Sequence, residues 1–121
     1  MILDIRPQSK ERAKANGNQF YTPPKTREYE DNIAMLYKAN GGKYHNGKVR
    51  VYAMFCYKTK DRKKLMTPKT STPDIDNLLK ALFDGLTKSG AAWKDDAQVT
   101  EVNASKMWST DDYIELEVQE Y

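Results

Sequence analysis

The sequence predicts an α+β fold: a single domain with a mixed β-sheet and two helices, in the order β-α-β-α-β-β. Three observations carry this reading. Ile75, Leu78, Leu79, Leu82, Phe83 and Leu86 recur at i, i+3, i+4, i+7, i+8 and i+11, which is one apolar stripe of an amphipathic helix. Residues 49–57 form a short, almost unbroken apolar run. Residues 113–119 alternate Ile114, Leu116 and Val118 with Glu115, Glu117 and Gln119, the period of two expected of a half-covered strand. With 121 residues, 39% hydrophobic and 31% charged, the chain can bury one core and lies outside the composition of disordered segments.

Taken in order, residues 1–5 suit a short first strand, and residues 6–22 read as a long polar loop with turn chemistry at Asn16-Gly17-Asn18. Thr22-Pro23 opens a first helix over about 24–39, with Tyr29, Ile33, Leu36 and Tyr37 at helical spacing and Asn40-Gly41-Gly42 as its stop. Residues 49–57 are apolar on both alternating sides, which predicts a strand covered on two faces. The second helix follows Pro73 and ends at Ser89-Gly90. Residues 99–108 and 113–119 then predict a hairpin around Ser109-Thr110-Asp111-Asp112.

The charge is unevenly spread. The formal net charge is +3, yet residues 6–27 hold six bases (Arg6, Lys10, Arg12, Lys14, Lys25, Arg27) and one acid, Glu11. Residues 58–69 repeat that ratio with Lys58, Lys60, Arg62, Lys63, Lys64 and Lys69 against Asp61. Together the two segments carry twelve bases and two acids, a charge of +10, against eight bases and fifteen acids, −7, elsewhere. Two basic segments on an acidic body suit arms that grip a polyanion, the alternative being a solvated surface.

Asp74 and Asp76 sit two residues apart at the start of the second helix, and Asp96 follows in Asp95-Asp96. Residues two apart on a helix diverge, so the pair can share an ion only if Asp74 belongs to the lead-in, a boundary that Pro73 supports. Three carboxylates suit one or two Mg²⁺ ions working on a phosphate, by polarising a phosphoryl oxygen and acidifying the attacking water. Lys80, one turn beyond Asp76, would stabilise charge on the phosphate or position the water. Each residue has a structural reading as well: Asp74 and Asp76 as helix caps, Asp95-Asp96 as a turn, and Lys80 as an i+4 partner of Asp76 or Asp84. Trp93 and Trp108 suit core packing better than base stacking.

Other chemistries fall away. His45 is the single histidine and reads as a surface residue in a turn, which argues against histidine nucleases, zinc hydrolases and serine triads. A Gly-rich phosphate loop with Lys-Ser/Thr is missing from the sequence. Cys56 is alone, fitting a buried thiol in a reducing cytoplasm, and no run has the apolar length of a signal peptide or membrane span.

The segment Pro73-Asp74-Ile75-Asp76-Asn77-Leu78-Leu79-Lys80-Ala81-Leu82-Phe83-Asp84-Gly85-Leu86 resembles the central motif of the RusA-type Holliday junction resolvases, and Asp95-Asp96-Ala97-Gln98-Val99 resembles their second motif. Lys106 falls where the family often has a lysine on the next strand, and Tyr21-Thr22-Pro23 to Tyr29-Glu30 is similar to an N-terminal pattern of some members. Thr72-Pro73 departs from members with a base directly before the first motif aspartate; here Lys69 is the nearest upstream base. The resemblance implies a homodimeric, Mg²⁺-dependent endodeoxyribonuclease that makes paired nicks across a four-way DNA junction. It implies Asp74, Asp76 and Asp96 as metal ligands and Lys80 as the further catalytic residue. Arg6, Lys10, Arg12, Lys14, Lys25, Arg27, Lys60, Arg62, Lys63, Lys64 and Lys69 would then contact junction arms. The rival reading is a non-catalytic binder of branched nucleic acid whose acidic residues cap a helix.

Overall fold

The computed structural model describes residues 1–10, 14–16, 19–21 and 23–121, the two short stretches by their main chain. In chain order the elements are β1 (Ile2–Leu3), β2 (Lys14–Asn16), β3 (Gln19–Tyr21), α1 (Pro24–Ala39), β4 (Val49–Lys58), α2 (Ile75–Thr87), β5 (Val99–Ser109) and β6 (Tyr113–Glu120). Short 3₁₀ turns at Lys88–Gly90 and Asp96–Gln98 separate α2 from β5. The antiparallel ribbon β2–β3 lies where the sequence suggests only a loop. Strands of three residues are too short to display an apolar period, so their pattern is silent.

Both helix limits follow local chemistry. α1 begins with Pro23 as its cap and Pro24 in its first turn, where a missing N–H costs nothing. It stops at Asn40, whose main-chain N–H and side-chain amide both donate to Leu36 O, at 3.0 and 2.8 Å. Gly41 then takes a left-handed conformation, φ 81°, that favours glycine.

The larger sheet has the order β1-β6-β4-β5. β4 is its centre, parallel to β5 and antiparallel to β6. A parallel neighbour requires a long crossover, which α2 supplies. The expected hairpin between the last two strands is therefore incorrect: β4 lies between them, and the Thr110–Asp112 connection passes over its end. Asp112 Oδ1 accepts from Lys58 N at 2.8 Å there, closing a main-chain donor that the ladder leaves open.

α1 and α2 pack against each other and cover one face of the sheet. Val49, Val51, Ala53, Phe55 and Tyr57 of β4 meet Ile33, Tyr37, Leu78, Leu82, Leu86, Trp93, Ile114 and Leu116 in one buried cluster. Each large side chain so placed contributes about 1.5–3 kcal/mol through removal of apolar surface from water. On the other face Arg50 is exposed, Tyr52 and Met54 are half-buried and Cys56 is buried, so that side of the strand is only partly covered. Gly85 lets the helices approach: a Cβ there would lie 2.7 Å from Ile33. Trp93 is core, as expected, its ring edge-on to Phe83 and its Nε1 donating to Thr87 Oγ1 at 2.7 Å.

His45 is a correction, since it is tucked in rather than on the surface. Its Nε2 is buried without a partner, and its Nδ1 lies 3.4 Å from Glu120 Oε1. Its main chain bridges Ala92 and Gln98, a tie between distant segments that local sequence cannot display.

Candidate active site

Asp74 arrives on an extended lead-in, φ −72° and ψ 144°, and occupies the cap position of α2. Its side chain makes no capping hydrogen bond. Asp76 stands in the first turn, and both side chains are exposed. The structural reading of this pair as caps thus loses its main support: among the described residues neither carboxylate has a side-chain partner, and the helix N-terminus favours their negative charge.

The loop that delivers Asp74 is held by two lysines. Lys69 Nζ donates to Ser71 O at 3.2 Å, to Ser71 Oγ at 2.8 Å and to Thr72 O. Lys106 Nζ, from β5, donates to Ser71 O at 2.7 Å and Pro73 O at 2.8 Å. Lys69 is only 8% exposed and lies against the rings of Tyr57 and Trp108, at 4.9 and 5.1 Å. Burial lowers its pKa, and the charges of Lys106 and Arg6 lower it further. Lys69 is therefore not the free DNA-contacting cation its place in a basic segment suggests.

Asp96 belongs to a different neighbourhood. Asp95 caps the 3₁₀ turn, its Oδ1 accepting from Ala97 N at 2.9 Å, and Gln98 Oε1 accepts in return from Asp95 N at 3.3 Å. Asp95 is thus committed to the turn, while Asp96 is exposed. Gln98 Nε2 donates to His45 O and Gly47 O, at 3.0 and 2.9 Å, fastening this turn near the start of β4. Ala92 joins the same corner, its N–H donating to Leu86 O near the last turn of α2.

Asp74 is instead tied through Pro73 to Lys106, far along β5 from Val99. That strand segment spans about 23 Å, and α2 itself rises about 20 Å from end to end. Asp96 thus stands toward the opposite end of α2 from Asp74 and Asp76. Among the described residues no group of three or more His, Cys, Asp or Glu is gathered to hold a metal ion. The donor types fit a hard divalent cation, but within one chain Asp74 and Asp76 stand at the start of α2 while Asp96 lies apart from them.

Lys80 is exposed on α2, and among the described residues it has no ion-pair partner. Asp84, one of its two expected partners, is taken by Lys10, which also reaches Glu30 at 3.4 Å. Burial pulls the Lys10 pKa down, but Asp84 and Glu30 outweigh it and the pKa rises. Lys10 is therefore committed to holding the N-terminal segment on α1 and α2, a second correction to the expected DNA contacts.

The remaining cations divide. Lys60, Arg62, Lys63 and Lys64 are exposed on the loop after β4, with Lys64 over Trp108 at 5.4 Å. Arg6 is 63% exposed, paired with Asp112 at 3.2 Å and stacked on Tyr57. Lys25 and Arg27 are exposed at the start of α1. Arg12 and the side chain of Lys14 lie outside the described residues. Arg6, Lys25 and Lys69 share the lining of a groove of about 650 Å³ that reaches Thr72 and Pro73. Tyr29 also lines it, its hydroxyl buried against the Gln8 main chain without a well-formed hydrogen bond and its pKa pushed up to about 12 by burial.

A basic α+β chain presenting uncommitted carboxylates beside such a groove has the make-up of a nuclease. The chain belongs to the RusA family: the family described as Endodeoxyribonuclease RusA, a DNA-cleaving hydrolase, matches residues 4–119. It is 36% identical over 75 residues to a crossover junction endodeoxyribonuclease of Lactococcus phage r1t, covering 62% of this chain and 56% of that protein. With its counterpart in Enterobacteria phage 82 it shares 32% identity over 92 residues, 76% of this chain and 75% of the other. With that of Escherichia coli K12 it shares 52% over 40 residues, 33% and 32% of the two chains. The aligned stretch spans little more than half of the Lactococcus phage protein.

Proposed function

We propose that this protein is a Mg²⁺-dependent endodeoxyribonuclease that resolves four-way DNA junctions by paired phosphodiester hydrolysis, acting as a homodimer in the cytoplasm. The observation that carries the reading is the pair of exposed carboxylates, Asp74 and Asp76, without a capping bond at Asp74, on a basic chain of the RusA family. Asp74, Asp76 and Asp96 would hold the metal, which when bound polarises the phosphoryl oxygen and acidifies its water.

The division of these ligands along α2 supports the dimer. Two copies related by a two-fold axis can each present Asp74 and Asp76 to the Asp96 of the other, which makes two equivalent sites for two equivalent strands. Exposed and, among the described residues, without an ion-pair partner, Lys80 supplies positive charge on the face of Asp76, either to the phosphate or to the water. Lys60, Arg62, Lys63 and Lys64, with Lys25 and Arg27, bind the junction arms through their phosphates. No helix among the described residues is long and apolar enough to cross a membrane.

The rival, a non-catalytic binder of branched DNA, draws on the absence of a three-carboxylate cluster among the described residues of one chain. Cleavage of a synthetic four-way junction, against linear duplex of the same arm sequence, separates the two. Wild type with Mg²⁺ is expected to give paired nicks in the junction alone, and EDTA or Asp76→Asn to abolish them while junction binding persists. Tight binding without nicks under any divalent metal would establish the binder instead.

A further inference from the structure

Lys69 and Lys106 present an arrangement to which neither the family resemblance nor the proposed chemistry assigns a role. Ser71, Thr72 and Pro73 turn three successive carbonyls toward two ammonium groups, with Ser71 O shared between them. Adjacent carbonyl dipoles aimed at one point repel each other unless a cation sits there. Pro73 has no N–H and so offers those oxygens no main-chain donor of its own; the bonds they accept come from the two lysines.

Lys69 is also an unusual place to put a charge. Among the described residues neither lysine pairs with a carboxylate, and Lys69 is nine-tenths buried. Burying an ammonium is costly, and here the compensation comes from neutral oxygens and from the Tyr57 and Trp108 ring faces. The segment carrying Lys69 is itself fixed: Met66 N donates to Trp108 O, Trp108 N to Thr67 O and Lys69 N to Lys106 O, at 2.9, 3.0 and 2.9 Å. The clamp is thus anchored on β5, and the next residue after the clamped carbonyls is Asp74.

We propose that Lys69 and Lys106 are positioning residues, a two-ammonium clamp that fixes the Ser71–Pro73 main chain and so aims the Asp74 carboxylate for a divalent cation. This rests on the metal-dependent reading of the site and assigns it a supporting layer. Lys69 has committed its donors to the loop, so it acts through Asp74 rather than on DNA. Such supporting contacts typically govern metal affinity by 10–100-fold.

The test uses Mn²⁺ as the probe, followed by electron paramagnetic resonance on wild type, Lys69→Met, Lys106→Met and Asp74→Asn, each checked for folding by circular dichroism. Lys69→Met and Lys106→Met are expected to weaken Mn²⁺ binding at least tenfold while junction affinity in EDTA stays within about twofold of wild type. Amide exchange of residues 72–76 in metal-free protein should quicken in both variants. Unchanged exchange together with wild-type Mn²⁺ affinity would overturn the clamp. Mn²⁺ binding in wild type that is indifferent to Asp74→Asn would instead remove the metal reading, and the exchange rates would still decide the clamp.

Discussion

Asp95 and Gln98 cap each other across the 3₁₀ turn, the Asp95 carboxylate taking the Ala97 N–H and the Gln98 side-chain oxygen taking the Asp95 N–H. Two adjacent aspartates are thereby separated in role, one holding the turn and the other, Asp96, exposed. Asp95→Ala is expected to cost about 1 kcal/mol of stability, as loss of a cap usually does, and to leave residual cleavage measurable. Asp96→Asn should leave the melting temperature nearly unchanged and abolish cleavage. Denaturation of both variants beside a junction-cleavage assay checks the division.

Alkaline stability should depend on Tyr29 together with Tyr57 and Tyr37, whose pKa values burial also raises. The Tyr29 pKa is raised from 10.0 to about 12 by burial, so the folded state keeps a proton that the unfolded chain releases. The stabilisation is fully present below pH 10 and is lost as pH rises toward 12, about 2–3 kcal/mol in all. Lys10, also raised, acts with the same sign: its contribution is present below 10.5 and is lost as pH passes through its higher folded value. Tyr29→Phe removes both the titration and a poorly partnered hydroxyl. It is expected to be neutral or stabilising at pH 7 and to flatten the fall above pH 10 in urea denaturation.

Gly85→Ala should destabilise the fold by about 1–3 kcal/mol, because the added methyl meets Ile33 at 2.7 Å and α1 must move from α2. Combining it with Ile33→Val should recover part of that loss, a coupling that a double-mutant cycle measures.

Much of this architecture is legible in the sequence because its signals are local. The stripe from Ile75 to Leu86 and the Pro and Gly punctuation give both helices to within a residue or so. What local pattern cannot give is pairing. Residues 113–119 alternate in the same way whether the neighbouring strand is β5 or, as found, β4. Asp74, Asp76 and Lys80 are exposed, as their polar places beside the apolar stripe of α2 lead one to expect, and their roles rest on the proposed function. For Lys10 and Lys69 the segment charge is a poor guide for one physical reason: charge counted along a segment ignores where a flexible side chain folds back. Lys10 reaches Asp84, and Lys69 reaches the Ser71 and Thr72 carbonyls. What separates Asp95 from Asp96 is the cap that Gln98 closes, a contact the local pattern does not display.

Removal of exposed cations should act on affinity rather than on chemistry. Single Lys60→Ala, Arg62→Ala, Lys63→Ala and Lys64→Ala variants are expected to weaken junction binding at 100 mM salt. Each should reduce the slope of log affinity against log salt by about 1 where its phosphate contact is lost. Lys10→Met, whose charge is spent on Asp84 and Glu30, should leave that slope unaltered and lower the melting temperature.

The most direct measurement of the shared site is subunit mixing. Asp76→Asn and Asp96→Asn proteins, each inactive alone, are unfolded together, refolded and assayed with Mg²⁺ on a four-way junction. A mixed dimer holds one site with both substitutions and one with none, so single-strand nicking should return to a level set by the fraction of mixed dimers. If the mixture stays silent while mixed dimers are demonstrably formed, each chain completes its own site and the division of ligands along α2 has no part in cleavage.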